Sequence, residues 1–274
     1  MCVRARAVAR RDFSGRVVAI TGAAGGLGRA LCRAFGRRGA RIAALDRDEQ
    51  GLAALAGELE AAGIAAQVVR CDVTRLESCR VALASVTDGI DVVVNNAGIS
   101  HRSAFADTDP EVIRRVMEVN FFGALNCTHA ALPALLARRG LVIAISSVAG
   151  FAPLLARTGY AASKHALHGL FDTLRAELAP QGVSVLVVCP SFIRTAIAGA
   201  HLAGNGRAAR HPRSVVGDML DPDEVAARIV DAAERGRRLL LVGRVAWTSY
   251  WVSRFAPSLY AWLMARRMRG ELHP

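Results

Sequence analysis

Lysine is nearly missing from this chain. Of the 35 Lys and Arg residues in 274, only Lys164 is a lysine. Tyrosine is almost as sparse: there are three, and Tyr160 alone lies before residue 250. Aromatics total 5%, so the 53% hydrophobic fraction makes a core of Ala, Val, Leu and Ile. No run of about 18 apolar residues occurs, which leaves no obvious bilayer-spanning segment. The six cysteines (2, 32, 71, 79, 127, 189) form no C-x-x-C pair, which excludes a small disulfide scaffold and fits reduced thiols in the cytoplasm. The seven histidines show no metal-ligand spacing, so no metal is expected. Residues 1–16 are rich in arginine and carry no apolar stretch, and do not read as a secretory signal.

The net charge of +12 would ordinarily point to nucleic acid. The arginines are spread along the chain, however, with clusters only at the two ends and near Arg207 to Arg213. No nucleic-acid-binding signature accompanies them, so the charge reads as solvated surface.

What is present follows a strand–helix alternation. Arg16 to Thr21 is a β-branched run that leads into Thr21-Gly-Ala-Ala-Gly-Gly-Leu-Gly28 and then a helical pattern from Arg29 to Arg38. A strand, a glycine turn and a helix start together make a phosphate cradle: glycine lets the backbone approach closely, and the helix N-terminus presents unpaired N–H groups. Strand-like runs follow at Arg41–Leu45, Ala65–Arg70, Asp91–Val94, Leu141–Ile145, Val183–Cys189 and Arg237–Val242. The second ends at Asp46, about 20 residues past the glycine turn, where a carboxylate accepts from both ribose hydroxyls and repels a 2′-phosphate. That favours NAD, while neighbouring Arg47 keeps NADP open. The pattern predicts an α/β fold, a single Rossmann-type doubly wound parallel sheet of about seven strands with helices on both faces.

Tyr160 and Lys164 lie four residues apart in a helical stretch and so share one face. A cation about 4 Å from a phenol at an effective dielectric of about 20 favours the phenolate by roughly 4 kcal/mol, about three pKa units. That brings a tyrosine into range of proton transfer near neutral pH.

Taken together, TGAAGGLG, Asp46, Asp72, NNAG (95–98), Asn120, Ser147, YAASK (160–164) and Pro190-x-x-x-x-Thr195 resemble the short-chain dehydrogenase/reductase family over residues 13–243. The resemblance implies an oxidoreductase acting on a small-molecule alcohol or ketone with NAD. An NADPH-dependent carbonyl reductase is the alternative, and a non-catalytic dinucleotide-binding regulator is the rival class. It implies Tyr160 as general acid/base, Lys164 as its modulator and ribose ligand, Ser147 on the substrate oxygen, and Asn120 positioning Lys164 and a water. Gly22, Gly26 and Gly28 would line the pyrophosphate turn, Asp72 would face the adenine, and Asn96 would lie near the adenosine ribose. Ile193 and Thr195 would contact the carboxamide, and Leu27, Val73, Ala97, Gly98 and Pro190 complete the cofactor surface. The family also implies a homodimer or homotetramer. Pro190-Ser191 departs from the family's Pro-Gly and makes the following loop the least determined part.

The domain of residues 1–243 is followed by an amphipathic helical extension, residues 244–274, holding Trp247, Trp251 and Trp262. Two readings of this tail stand: packing on the protein's own core or a neighbouring subunit, or peripheral contact with a membrane interface. In either case it borders the pocket and implies a lipophilic substrate.

Overall fold

The computed structural model describes residues 10–194, 201–209 and 214–272. Seven short runs rich in Val, Ile, Leu and Ala form one all-parallel sheet: β1 (Val17–Thr21), β2 (Arg41–Asp46), β3 (Ala66–Arg70), β4 (Val92–Asn95), β6 (Leu141–Ile145), β7 (Ser184–Pro190) and β9 (Leu239–Val242). Their spatial order is β3-β2-β1-β4-β6-β7-β9. Val18 is in register with Ile42 on one side and Val92 on the other. All residues of β1, β4 and β6 are buried, as near-continuous apolar strands in a two-faced parallel sheet must be. Edge strand β3 alternates instead between exposed and half-buried positions.

Alternation along β1 sorts its side chains into two layers. Val18 and Ile20 pack with α1 (Gly26–Gly36), α2 (Glu49–Ala61) and α7 (Pro222–Glu234). Val17 and Ala19 pack with α3 (Leu76–Ala84), α5 (Gly123–Arg138) and α6 (Thr158–Leu178). The chain runs outward in one direction through β2 and β3 and in the other through β4, β6, β7 and β9. This reversal beside β1 opens the crevice in which such sheets bind ligands, at the carboxyl ends of the strands.

The long helix expected after Asp109 begins there, with the Asp109 carboxylate accepting from Glu111 N and Pro110 in the first turn. It is not uniform. α4 (Pro110–Met117) passes through a π-helical turn, Glu118–Phe122, into α5. Length and composition alone would let the 29-residue stretch Pro110–Arg138 cross a bilayer. Here Ala124, Cys127, Ala131 and Leu135 cover the sheet.

Two strands escaped the sequence patterns: β5 (Ser100–His101) and β8 (His201–Leu202), a two-residue parallel pair. At two residues each they are too short to show any periodicity. The tail forms α8 (Arg244–Phe255) and α9 (Pro257–Met268), followed by a single 3-10 turn, Arg269–Glu271. Pro257 starts α9 and enforces the break between them.

Candidate functional site

The glycine turn is held by contacts that leave no room for a side chain at Gly22 or Gly28. Gly22 has φ +64°, and a Cβ there would stand 2.8 Å from Ala97 Cα; one on Gly28 would stand 2.1 Å from Gly22 O. The Thr21 hydroxyl accepts from Asn96 N and Ala97 N, both at 3.0 Å, and donates to Val94 O. The Asn96 amide donates to Thr21 O at 2.9 Å and Gly22 O at 3.1 Å. Asn96 thus braces the turn, and the Thr21 hydroxyl is its partner in doing so. α1 starts at Gly26 with Gly25 as its cap, no side-chain capping bond and no acidic residue in the first turn. An uncapped N-terminus approached only by backbone fits a pyrophosphate.

Asp46 closes β2 with Oδ2 accepting from Ala24 N at 3.0 Å and Oδ1 from Asp48 N at 3.1 Å. Arg47 beside it is exposed. Asp72 Oδ1 accepts from Thr74 N and from its hydroxyl, the latter at 2.7 Å. Burial would raise the Asp72 pKa, but these bonds and the nearby Arg47 and Arg75 bring it below the usual range. Val73 is buried against Gly123, where a Cβ would come within 2.7 Å of Val73 Cγ2.

On the other side of the crevice lie Ser147, Tyr160 and Lys164. Ser147 follows β6 and caps the 3-10 turn Val148–Gly150, its hydroxyl accepting from Ala149 N at 3.2 Å. Tyr160 and Lys164 sit one turn apart on α6, with the ammonium 5.6 Å from the ring centroid. Lys164 Nζ donates to Ile145 O at 2.8 Å. Burial lowers the Lys164 pKa to about 8. Burial raises that of Tyr160, against which the hydrogen bond with Ser147 and the Arg157 guanidinium pull downward, while Cys189 adds to the rise. The buried ammonium is directed at the Ile145 carbonyl, one helical turn from the phenol.

Asn120 lies in the π turn and is buried. Its Nδ2 donates to Ile99 O and Ser163 Oγ, both at 2.9 Å, and its Oδ1 accepts from Ile99 N at 2.8 Å. A Cβ on Gly98 would meet Asn120 Oδ1 at 3.2 Å and Lys164 Nζ at 3.7 Å, so these three groups converge. The π turn re-aims one amide inward, a use such bulges often serve.

A cavity of about 450 Å³ joins the two sides, lined by Leu27, Asn96 and Gly98 and by Ser147, Tyr160, Lys164, Pro190 and Ile193. Its far wall comes from the tail: Val245, Val252, Tyr260, Leu263, Met264 and Met268. Ile193 is fixed by a bridge to Leu220. Ser191, in place of the family's glycine, donates its N–H to Val242 O at 3.2 Å and lines the same space. Thr195 lies outside the described residues, as do Arg210 and Arg213.

Three buried charged positions had no motif to announce them. Glu271, Arg102 and Arg157 form a buried ion cluster, with 1%, 3% and 3% of their surfaces exposed. Glu271 Oε2 lies 3.1 Å from Arg102 Nε and 3.3 Å from Arg157 Nη2, and its Oε1 accepts from Ser214 N. The carboxylate links the end of the tail, the residue after β5, the loop before Tyr160 and the loop before α7. Burial would raise its pKa, yet the Ser214 amide and the two guanidinium groups hold it low. His101 on β5 accepts from Gly159 N at 2.9 Å, one residue before Tyr160.

Folding also gathers Cys71, Cys79 and Cys127, whose sulfurs lie within 4.8 Å of one another. Sequence spacing had no means of showing this convergence. They pack in the apolar layer between α5 and the sheet; contact with Cys127 pulls the Cys79 thiol down, but contact with Cys71 and then burial push it up to about 12, and contact with Cys71 and Cys79, then burial, hold Cys127 well above its ordinary value.

A doubly wound parallel sheet, a glycine turn at its switch point and a Ser, Tyr, Lys and Asn set across the crevice define a Rossmann-type oxidoreductase. The pattern of the short chain dehydrogenase family matches residues 16–205. The chain is 35% identical over 266 residues to dehydrogenase/reductase SDR family member 7B of Xenopus tropicalis, covering 93% of this chain and 86% of that protein. Among solved structures, it is similar to a short-chain dehydrogenase/reductase from Burkholderia phymatum in complex with NAD (TM-score 0.81, 25% identity, 91% of this chain and 96% of the other). It is also similar to a short chain dehydrogenase from Burkholderia cenocepacia in complex with NADP (TM-score 0.79, 28% identity, 93% and 99%). The protein belongs to the short-chain dehydrogenase/reductase family.

Proposed function

We propose that this oxidoreductase transfers a hydride between a nicotinamide dinucleotide, NAD by preference, and a lipophilic secondary alcohol or ketone. The observation that carries the reading is that Ser147, Tyr160 and Lys164 line one cavity together with Leu27, Asn96 and Gly98 of the glycine-turn side and apolar residues of the tail. The cofactor, when bound, donates or accepts the hydride.

Everything else falls to the chain. Tyr160 exchanges a proton between its phenolic oxygen and the substrate oxygen. Ser147 hydrogen-bonds that same oxygen and, through its bond to the phenol, favours the phenolate. Lys164, fixed by Ile145 O, holds the ribose side of the crevice. Asn120 locks Ile99 and Ser163 around it. α8 and α9 exclude water from the reacting end.

Asp46 supports NAD, because its carboxylate occupies the end of β2 where a 2′-phosphate would have to sit. Exposed Arg47 and the NADP-bound relative support the second reading, an NADPH-dependent carbonyl reductase of the same site.

The test is titration with NADH and NADPH, then turnover on a panel of lipophilic secondary alcohols and ketones with Tyr160→Phe alongside. Losing the general acid/base is expected to lower kcat about a thousandfold, with the NADH Kd within about twofold of the parent because the ring still packs. NADPH binding tenfold tighter than NADH would overturn the NAD preference. Undiminished turnover in Tyr160→Phe would remove the mechanism.

A further inference from the structure

The two tail helices have opposite faces with opposite fates. One face lines the cavity through Val245, Val252, Leu263, Met264 and Met268. The other is bare: Trp247, Trp251, Phe255, Leu259 and Trp262 are 59, 42, 80, 50 and 56% exposed. Trp247 lies edge-on to Trp251 at 6.4 Å, and Trp251 stacks on Phe255 at 5.8 Å, so these rings pack on one another. A contiguous row of large aromatic and aliphatic side chains left in water marks a surface that something covers.

Charge says what covers it. Residues 244–270 carry five arginines (244, 254, 266, 267, 269) and no Asp or Glu. Arg254, Arg266, Arg267 and Arg269 are exposed. Two of them lie over aromatic rings, Arg254 at 4.6 Å from the Tyr250 centroid and Arg266 at 5.5 Å from that of Trp262. Interleaved arginine and tryptophan, on helices lying along a surface, is the composition of an interfacial segment on anionic lipid. A second copy of the chain docking face to face would set the same arginines against themselves, which like-charge repulsion disfavours.

We propose that the outer face of α8 and α9 is a docking surface for an anionic phospholipid bilayer. Trp247, Trp251, Phe255 and Trp262 insert at the headgroup level, and Arg254 and Arg266 pair with lipid phosphates and carboxylates. The docked helices then form a partition one helix thick, with lipid on one side and the reaction cavity on the other. Docking does not depend on which substrate the site takes. Delivery of substrate from the bilayer through this partition rests on the lipophilic reading above.

The protein carries its own reporter, because all three tryptophans lie in the tail. The full chain is mixed with vesicles of phosphatidylcholine alone or with 30% phosphatidylserine, and sedimentation and tryptophan emission are read without substrate or turnover. Binding at least tenfold stronger to the phosphatidylserine vesicles is expected, with a blue-shifted emission and quenching by bromine-labelled acyl chains. Trp251→Ser with Phe255→Ser should reduce partitioning tenfold or more on both vesicle types. Arg254→Glu with Arg266→Glu should abolish the preference for phosphatidylserine. Unchanged NADH binding by each double variant shows that it is folded.

Absence of any emission shift or quenching with either vesicle overturns the proposal. So does burial of the tryptophans by concentration-dependent self-association without lipid, which would assign the face to a second copy. Failure of turnover with intact vesicle binding would count against the proposed reaction and leave the docking surface standing.

Discussion

The crevice under the glycine turn and the wall formed by the tail face the same cavity but are built by different means. The crevice is made of backbone. Thr21, Gly22, Asn96 and Ala97 come from two adjacent strand ends, where the Thr21 hydroxyl and the Asn96 amide bond main-chain groups, and Gly28 of α1 packs against the Gly22 carbonyl. The wall is made of side chains drawn from α8, α9, the loop before α6 and the segment around Ser214, and one buried carboxylate ties its ends. A backbone site tolerates almost no change at its glycines and depends little on remote residues. A side-chain wall tolerates many substitutions facing the cavity but depends on its latch.

The largest effect that sharpens this contrast is expected at the latch. Glu271→Gln leaves two buried guanidinium groups facing a neutral amide. Breaking a buried ion cluster in this way costs about 3 kcal/mol, roughly 6–12 °C in Tm for a domain of this size. Thermal unfolding should show that loss while the NADH Kd stays within about twofold. An NADH affinity that collapsed together with Tm would mean the two regions are one cooperative unit.

A smaller effect is expected in the crevice. Gly28→Ala places a methyl 2.1 Å from Gly22 O and 2.8 Å from Ala23 Cα, both backbone atoms. Overpacking of this kind costs about 2 kcal/mol. Because the strain falls on the phosphate turn, NADH titration should show a Kd raised more than about tenfold. Alanine at Gly57, where no atom lies within 4 Å of the added methyl, is the matched control and should bind as the parent does.

The same contrast decides what could be read from the chain. Gly22, Gly28, Asp46, Asp72, Asn96, Ser147, Tyr160 and Lys164 were legible because strand ends and a helix face convert sequence spacing into spatial position. Six of the seven strands also stand out as apolar runs of four to seven residues. Only edge strand β3, half exposed, is weakly marked. Arg102, Arg157 and Glu271 were not legible, because a pairing across 169 residues leaves no local period. The π turn at Asn120 was hidden as well: its residues suit an α-helix, and only the inward bonds to Ile99 and Ser163 show the extra residue accommodated there. The electrostatics of Tyr160 were read only in part. Spacing names Lys164 as a neighbour but is blind to where its ammonium points, and Arg157 acts on the phenol from a loop with no motif.

The smallest of these effects lies at the seam between the regions, where His101 Nε2 accepts the Gly159 N–H at the start of α6. The imidazole is fully buried with Arg157 nearby, and burial first, then that guanidinium, lower its pKa to about 4. A folded-state pKa below the unfolded value of about 6.5 means that the unfolded chain binds the proton more readily. The contribution is therefore intact above pH 6.5 and is lost as pH falls from there toward 4. Between pH 7 and pH 5 the loss is about 1–2 kcal/mol, read as a fall in the urea midpoint. His101→Gln supplies a neutral acceptor that does not titrate, so its midpoint should change less over the same interval. If parent and variant lose stability in parallel, the acid sensitivity belongs to other groups. If the variant is flat and the parent is not, one hydrogen bond at the first turn of α6 makes the placement of Tyr160 sensitive to pH, while the glycine crevice, which holds no histidine, is left unchanged.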